Sequence, residues 1–474
     1  MSRYLILNGI VIDCTGSKPR TGAAILVEGD RVVGVGLEAE IRSLAERGGP
    51  YKIIDAGGAT IMPGIIDVHV HPSYGDILSF EELDIYTGCE YRTLRAAHNL
   101  KKVLRAGVTT ICAPGSNWNI NVALRDAVNA GMIEGPRISA GGRYITTDNA
   151  IAAAFPTHIV HPQSSFGILC NTRDEMIVAV RKQLKEGVDI IKVAGDGDSL
   201  TSSGLLAGTI TFEDLQAIAE LTHMMGRRCT IHARSGQSAA AAARAGFDWV
   251  IHASFMTDED LAVVVKHRTP INPTLSLLAN TLDWGRDVGA SDGLLDAYKR
   301  ELDAASRILT KAHREGVVFI AGTDAGQGPV PYGEWHAREM EHLVHYVGMS
   351  NEEALLAGTR DAARVIGMGD MVGTIEAGKF ADILVVDGNP LADITVLQDK
   401  QRLKLVMKGG EIVDHLDPVP QPRVYRWEKP QLYWSEPQLM TQEFVRSTAR
   451  VKPAWMSEAS SPTAYQPAKI VKIA

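Results

Sequence analysis

Two apolar rhythms alternate along the chain. The runs IIDVHV, VTTICA, RISAGG, VDIIKVAG, CTIHA, WVIHA, TPINPTL and VVFIAGTD are short and apolar, with β-branched residues frequent, and predict strands. Between them apolar residues recur every three or four positions. Leu94, Ala97, Leu100, Val103 and Leu104 are one such set, with charges on the other face, and predict an amphipathic helix. Eight such strands alternating with helices, from Ile61 to about Met368, predict an α/β domain of the (β/α)8 TIM-barrel type. The alternative is an open doubly wound sheet. That fold expects a glycine-rich phosphate turn after an early strand, and no GxGxxG stands there.

The rhythm differs at the two ends. YLILNGIVID, AAILVEGDRVVGVG and YKIIDAGGATIMPG open the chain, and GTIEAGKFADILVVDG and LKLVMKGGEIVD come near its close. Gly and Asp punctuate these runs at hairpin spacing. Neither end has enough strands for a two-sided core. Both ends are therefore expected to build one small β-sandwich domain, with the barrel inserted in it. The expected division is 1–60 and 368–415 for the sandwich, 61–367 for the barrel and 416–474 for a C-terminal extension. Two long connections, Thr146 to Asn171 after the third strand and Ser276 to about Ala290 after the seventh, are expected to be lids or binding loops on the face where barrel sites form. The extension is rich in Pro, Gln and Ser but carries Tyr425, Trp427, Tyr433, Trp434, Trp455 and Tyr465. It reads either as a disordered tail or as an arm on its own barrel or a neighbouring subunit. The aromatics favour the arm, and with it a homo-oligomer.

Composition narrows the function. Lys and Arg number 48 against 56 Asp and Glu, a net charge of −8. That balance argues against nucleic acid or an anionic membrane as partner and leaves a small-molecule substrate. The five cysteines are odd in number and form no CxxC, which suggests packing roles in a reducing compartment. The apolar start is broken by Asn8 and Gly9, unlike a signal peptide, and no run is long enough to span a bilayer. A cytoplasmic protein is expected.

The candidate chemistry lies at the strand ends. In GIIDVHVHP, positions two apart share a face, so His69 and His71 can grip one ion. Lys192 sits inside the apolar run DIIKVAG, a costly place unless the amine is paired or modified. His232, His252 and Asp324 close the fifth, sixth and eighth strands. Imidazole and carboxylate suit Zn²⁺ and similar divalent ions.

This set, HVH with Lys192, His232, His252 and Asp324, resembles the metal-dependent amidohydrolase superfamily over about residues 1–415, and GTIEAGKFADILVVDGNPL is similar to its C-terminal signature. IKVAG, HARS, INPTLS and AGTDAG, in that order, look most similar to a dipeptidase-like branch with relatives acting on phenylureas and thiocarbamates. The resemblance implies a two-metal site. His69, His71 and Asp324 would hold one metal, His232 and His252 the other, and Lys192, carboxylated by CO₂, would bridge them. An unmodified Lys192 would leave a single metal. Zinc is the expected ion, with Co, Mn or Fe also compatible. A bridging hydroxide would attack a substrate carbonyl, and Asp324 would pass its proton to the leaving amine. The activity implied is hydrolysis of a C–N bond in a small amide, carbamate, urea or dipeptide-like molecule. Two alternatives stay open: a deaminase of a cyclic or aromatic amine, which does not need Lys192 as a bridge, and a non-catalytic assembly protein, which would lack some of the ligands.

Weaker signals surround this set. Arg234 shares a face with His232, and reads either as a grip on a substrate carboxylate or as an ion pair with Asp196 or Asp198. Tyr144 and Asn149, after the third strand, and His158 and His161, in the long loop, are candidate substrate contacts. GDGDSL after Lys192 reads as a polar turn, since it lacks the further ligands of a calcium loop. His336, His342 and His345 read as structural.

Overall fold

The computed structural model describes residues 2–197, 207–420, 440–443, 447 and 472–473. The two chain ends meet in one nine-stranded sheet. Arg3–Val11, Arg20–Glu28, Arg31–Leu37, Lys52–Asp55 and Thr60–Pro63 come from the start of the chain, and Ile383–Val386, Leu403–Lys408 and Glu411–Ile412 from its later part. The seam between the halves is the antiparallel pair of Thr60–Pro63 with Ile383–Val386. One apolar cluster runs across both halves, from Tyr4, Ile6 and Ile25 to Ile383, Val385 and Met407. Leu5, Leu7, Ala24 and Leu26 face the other way and are covered by Ile41 and Ala45 of the helix Glu38–Arg47. This alternation along the strand Arg3–Val11 is the period of two read out as burial on both faces.

Between these ends, parallel segments are linked in a cycle. Ile65–Asp67, Val108–Ala113 and Arg137–Ala140 form a three-stranded sheet. A bridge from Gly141 to Ile190 leads into Ile190–Ala194, Arg228–Ser235, Trp249–Phe255 and Ile271–Asn272. A bridge from Ile271 to Phe319 adds the segment 318–325, and a bridge from Val70 to Ala325 returns to the first strand. Ile66, Val68, Cys112, Ile190, Trp249, Ile251 and Ile320 pack together on one side of these strands. Val250, Ile231, Val193 and Ile111 face the other way, in the cluster that includes helix residues such as Leu100 and Ala242. An Arg137–Asp382 ion pair at 2.9 Å joins the third strand to the nine-stranded sheet.

Two expectations are corrected. In the helix Cys89–Arg105 Leu94 is exposed, whereas Arg92, Arg95 and Asn99 are buried beside Leu100, Val103 and Leu104. The reason is polar. Arg92 donates to Ser73 O and Arg95 to Tyr74 O, so this face holds the loop after the first strand by its backbone. The stretch after the seventh strand is no open loop but the helix Leu275–Trp284. Its first N–H groups, on Leu275 and Ser276, donate to the carboxylate of Glu339, a cap supplied from far along the chain.

The aromatic residues of the extension lie outside the described residues. Of the described part, Met440 is buried, with its carbonyl accepting from Trp335 Nε1 at 2.7 Å. Lys472–Ile473 pairs antiparallel with Lys52–Asp55 in the nine-stranded sheet. No helix among the described residues is long and apolar enough to cross a membrane.

Candidate metal centre

His69 and His71 follow the first strand, where it is zipped to the segment 318–325. His71 N donates to Ala325 O and Asp324 N to His69 O, at 2.8 and 2.7 Å. This brings Asp324 Oδ1 to 3.0 Å from His71 Nε2 and 3.6 Å from His69 Nε2. The two Nε2 atoms are 3.0 Å apart, and all three side chains are buried. The opposite ring nitrogens are engaged elsewhere, His69 Nδ1 with Thr274 Oγ1 and His71 Nδ1 with Gly115 O, each at 3.1 Å. Such outer bonds fix ring orientation and leave Nε2 of both rings aimed at a common point. Behind them Asp67 accepts from His69 N and Thr323 N and contacts His336 Nδ1, so His336 is a structural partner.

His252 and His232 extend the row. Ring centroids of His69 and His252 are 5.9 Å apart, and those of His252 and His232 are 4.6 Å apart. By strict alternation His252 would share the face of Val250, away from the site. It does not, because its φ is 77° and the pairing with the neighbouring strand slips between Ala233 and Ser235. Two residues, Ala253 and Ser254, stand opposite Arg234 alone, a bulge of the kind that re-aims a side chain.

Lys192 is fully buried, its Nζ has no hydrogen-bond partner, and it lies 5.2 Å from the Tyr144 ring centroid. Burial draws the ammonium down to about 7, against the pull of Asp324. Burial also pushes the imidazoles of His69, His232 and His252 well below their ordinary value. It acts to raise Asp324, but the adjacent His69 and His71 hold that carboxyl below the usual range. Neutral imidazoles around an ionised carboxylate, with an amine left unsatisfied, form a donor set that fits divalent metal. His69, His71 and Asp324 already place one donor atom each within 4.8 Å of one another.

A cavity of about 240 Å³ opens beside these groups. His69, His232, His252, Asp324, Tyr144 and Arg234 are among its lining residues, together with the aromatic and aliphatic Tyr74, Ile77, Phe80, Leu83, Phe166 and Leu277. Asn149 and His158 are exposed, and none of Asn149, His158 and His161 lines the cavity; His161 Nε2 instead meets Gly167 O at 3.0 Å. Arg234 Nη1 is engaged by the buried carboxylate of Glu301, which also accepts from Ser254 Oγ at 2.8 Å. Asp196 is used by the backbone instead, accepting from the amides of Arg234 and Ser235. Asp198 lies outside the described residues. Tyr144 Oη is 3.2 Å from His71 Nε2 and accepts from Tyr74 Oη at 3.3 Å.

Tyr74 and Glu301 escaped the reading of the sequence. Tyr74 stacks on His71 with centroids 4.2 Å apart, and its signal was simply its closeness to HVH. Glu301 occupies the buried stripe of the helix Asp292–Arg314, between Tyr298 and Leu302, where a lone carboxylate asks for a buried cation.

Comparison with known proteins places the chain in a family. Residues 60–413 match the model of the amidohydrolase family. The chain is 25% identical over 445 residues to ochratoxinase of Aspergillus niger, spanning 86% of each protein. It is 25% identical over 392 residues to imidazolonepropionase of Symbiobacterium thermophilum, spanning 77% of this chain and 84% of that one. A crystal structure of a Xaa-Pro dipeptidase with bound methionine in the active site superposes with a TM-score of 0.74 at 26% identity, covering 87% of this chain and 99% of that chain. The chain belongs to the amidohydrolase family and is a hydrolase acting on carbon–nitrogen bonds.

Proposed function

We propose that the protein cleaves the amide-type C–N bond of a small molecule bearing an apolar or aromatic group, at a two-metal centre bridged by carboxylated Lys192. The observation that carries this reading is the buried Lys192 Nζ, without a partner beside the His69–Asp324 cluster. A carbamate there would turn a costly buried amine into an anionic ligand. His69, His71 and Asp324 would hold one metal, and His232 and His252 the other. Zinc suits these donors. When bound, such metals lower the pKa of water and polarise a carbonyl oxygen. The strand cycle is read as the (β/α)8 barrel of 61–367, carried by a β-sandwich from 1–60 and 368–415. Five free cysteines agree with a reducing, cytoplasmic setting.

The chain's own groups divide the remaining work. Asp324, ionised and facing the cavity, accepts the proton of the attacking water and returns it to the leaving nitrogen. Tyr144 Oη, next to His71 Nε2, is placed to donate to the substrate's carbonyl oxygen. Phe80, Phe166, Leu83 and Leu277 exclude water and favour a flat or branched apolar group. Arg234, with Glu301 against its guanidinium, presents a compensated charge, which suits a neutral polar tail better than a second carboxylate. The relatives that act on ochratoxin and on Xaa-Pro dipeptides fit an amide bond next to a bulky group. The deaminase reading gives Lys192 no role.

The test is metal analysis of protein expressed with and without added bicarbonate, followed by a panel of N-acyl aromatic amino acids, anilides, carbamates and phenylureas. About two metals per chain and turnover of an apolar amide are expected, both lost together in Lys192→Ala. Full activity with normal metal content in that variant would remove the bridge.

A further inference from the structure

We propose that His223, Cys229 and Asp248 form a separate divalent-metal site, of zinc type, at the end of the strand cycle opposite the candidate centre. His223 lies in the last turn of the helix Phe212–Met224, and Cys229 is the second residue of the strand Arg228–Ser235 that follows. Asp248 immediately precedes the strand Trp249–Phe255. His232 stands three residues beyond Cys229 on the same strand, about 10 Å away at strand rise, so the two centres share no ligand.

The donors converge. His223 Nε2 is 2.9 Å from Asp248 Oδ2 and 3.9 Å from Cys229 Sγ, and all three donor atoms lie within 4.8 Å of one another. Tetrahedral zinc, with Zn–S near 2.3 Å and Zn–N or Zn–O near 2.0–2.2 Å, sets neighbouring donors about 3.3–3.7 Å apart. The two separations from His223 Nε2 lie within a few tenths of an ångström of that range, and all three donors lie within 4.8 Å of one another, so an ion draws Cys229 and Asp248 in around the imidazole. Thiolate, imidazole and carboxylate together select zinc and its neighbours over calcium or magnesium.

Two of the ligands are held before any ion arrives. Asp248 N donates to Cys229 O at 3.0 Å, and Cys229 N donates to Asp248 Oδ2 at 2.8 Å. Arg228 Nη1 holds the other carboxylate oxygen at 2.9 Å. Cys229 is buried, while the His223 side chain is 42% exposed and gives an ion and a fourth, water ligand a route in. A nucleophilic Cys–His–Asp relay would need the carboxylate on one ring nitrogen and the thiol on the other. Here both approach Nε2, which is the arrangement of ligands around a point and not of a proton relay. An ion here would clip the helix end to the starts of two strands.

Cobalt(II) reports on the site directly, because a thiolate ligand adds an intense near-ultraviolet charge-transfer band, and the ligands proposed for the other centre include no sulfur; Cys112, the buried thiol that interacts with Lys192 there, is the control. The full-length protein is loaded with Co²⁺ as wild type, His223→Ala, Cys229→Ser and, as a control, Cys112→Ser. The band is expected in the wild type and in Cys112→Ser. It is expected to vanish in the other two variants together with about one metal per chain, while the metal held through His69 and Asp324 remains. His223 is exposed, so His223→Ala tests the site without disturbing the core. Absence of the band from the wild type at saturating Co²⁺, or its survival in either His223→Ala or Cys229→Ser, would overturn the assignment.

Discussion

The two ends of the strand cycle turn the chain in opposite ways. Where helices run into strands, the left-handed residue is a glycine at Gly107, Gly187, Gly226, Gly246 and Gly316, with Arg268 the exception before the seventh strand. These glycines stand at the helix C-cap, as Gly187 and Gly246 do, or one residue beyond it, as Gly107, Gly226 and Gly316 do, and glycine meets the demand there at no steric cost. Where strands run out into the site, left-handed φ falls on His252, Ala253, Thr274 and Asp324. Such residues cost about 1–3 kcal/mol each and persist only when their surroundings over-determine them. One end follows local rules and holds the fold; the other breaks them, and each break positions a group of the site. His252 is turned off its expected face, Thr274 anchors His69, and Asp324 closes on both histidines.

The largest effect expected separates charge from backbone at Asp324. Asparagine tolerates the same left-handed conformation and nearly the same shape, so Asp324→Asn keeps the backbone and removes the carboxylate charge, with the anionic metal ligand and the proton acceptor it provides. Turnover of the best substrate from the amide panel is expected to fall by about 10²–10⁴-fold, the usual worth of a positioned general acid–base. Steady-state kinetics within tenfold of the wild type would take Asp324 out of the chemistry and leave its backbone unexplained.

A second cost at the functional end is electrostatic. Asp84 ends the short helix Phe80–Asp84 in the cavity wall and is fully buried, with Phe166 N donating to Oδ1 at 3.2 Å. Burial pushes its carboxyl up from 3.8 to about 6, against the bonds from Ser165 and Phe166. Between those values the folded chain holds a proton that the unfolded chain has lost. The stability Asp84 contributes is therefore complete below about pH 4 and is lost as pH rises through about 6. Asp84→Asn mimics the protonated form and should gain on the wild type by about 1–3 kcal/mol between pH 4 and 8. Denaturant melts at both pH values check this, and a constant difference between the two proteins would show that Asp84 keeps an ordinary pKa.

The same contrast explains what the sequence could and could not tell. The pairing of the two chain ends and the parallel strands follow from periods of two and of three to four, and His69 and His71 stand side by side as their spacing requires. Those features are local. The bulge behind His252 is invisible to a period of two, which would have put that ring on the outer face. Arg234 meets Glu301 and the helix after Thr274 is capped by Glu339, each partner more than sixty residues away. Residue identity suggests such a need, but only the fold supplies the answer. The loop candidates Asn149, His158 and His161 carried no periodicity at all, and their distance from the cavity was legible nowhere in the chain.

The smallest effects test the contrast itself. At Gly246, with φ of 87° and nothing within 4 Å of an added Cβ, alanine meets only the backbone penalty. Gly246→Ala should cost about 1 kcal/mol, the left-handed penalty less the entropy alanine removes from the unfolded chain. Ala253, at φ 56° in the bulge, is the mirror case. Ala253→Gly relieves a similar penalty but gives up a buried methyl and loosens the unfolded chain, so the net change should stay within about 1 kcal/mol of zero. Thermal and denaturant melts of the pair decide the matter. If Ala253→Gly proved the more damaging substitution, by about 2 kcal/mol or more, the bulge would be held by the methyl's packing, and its left-handed backbone would be no reservoir of strain.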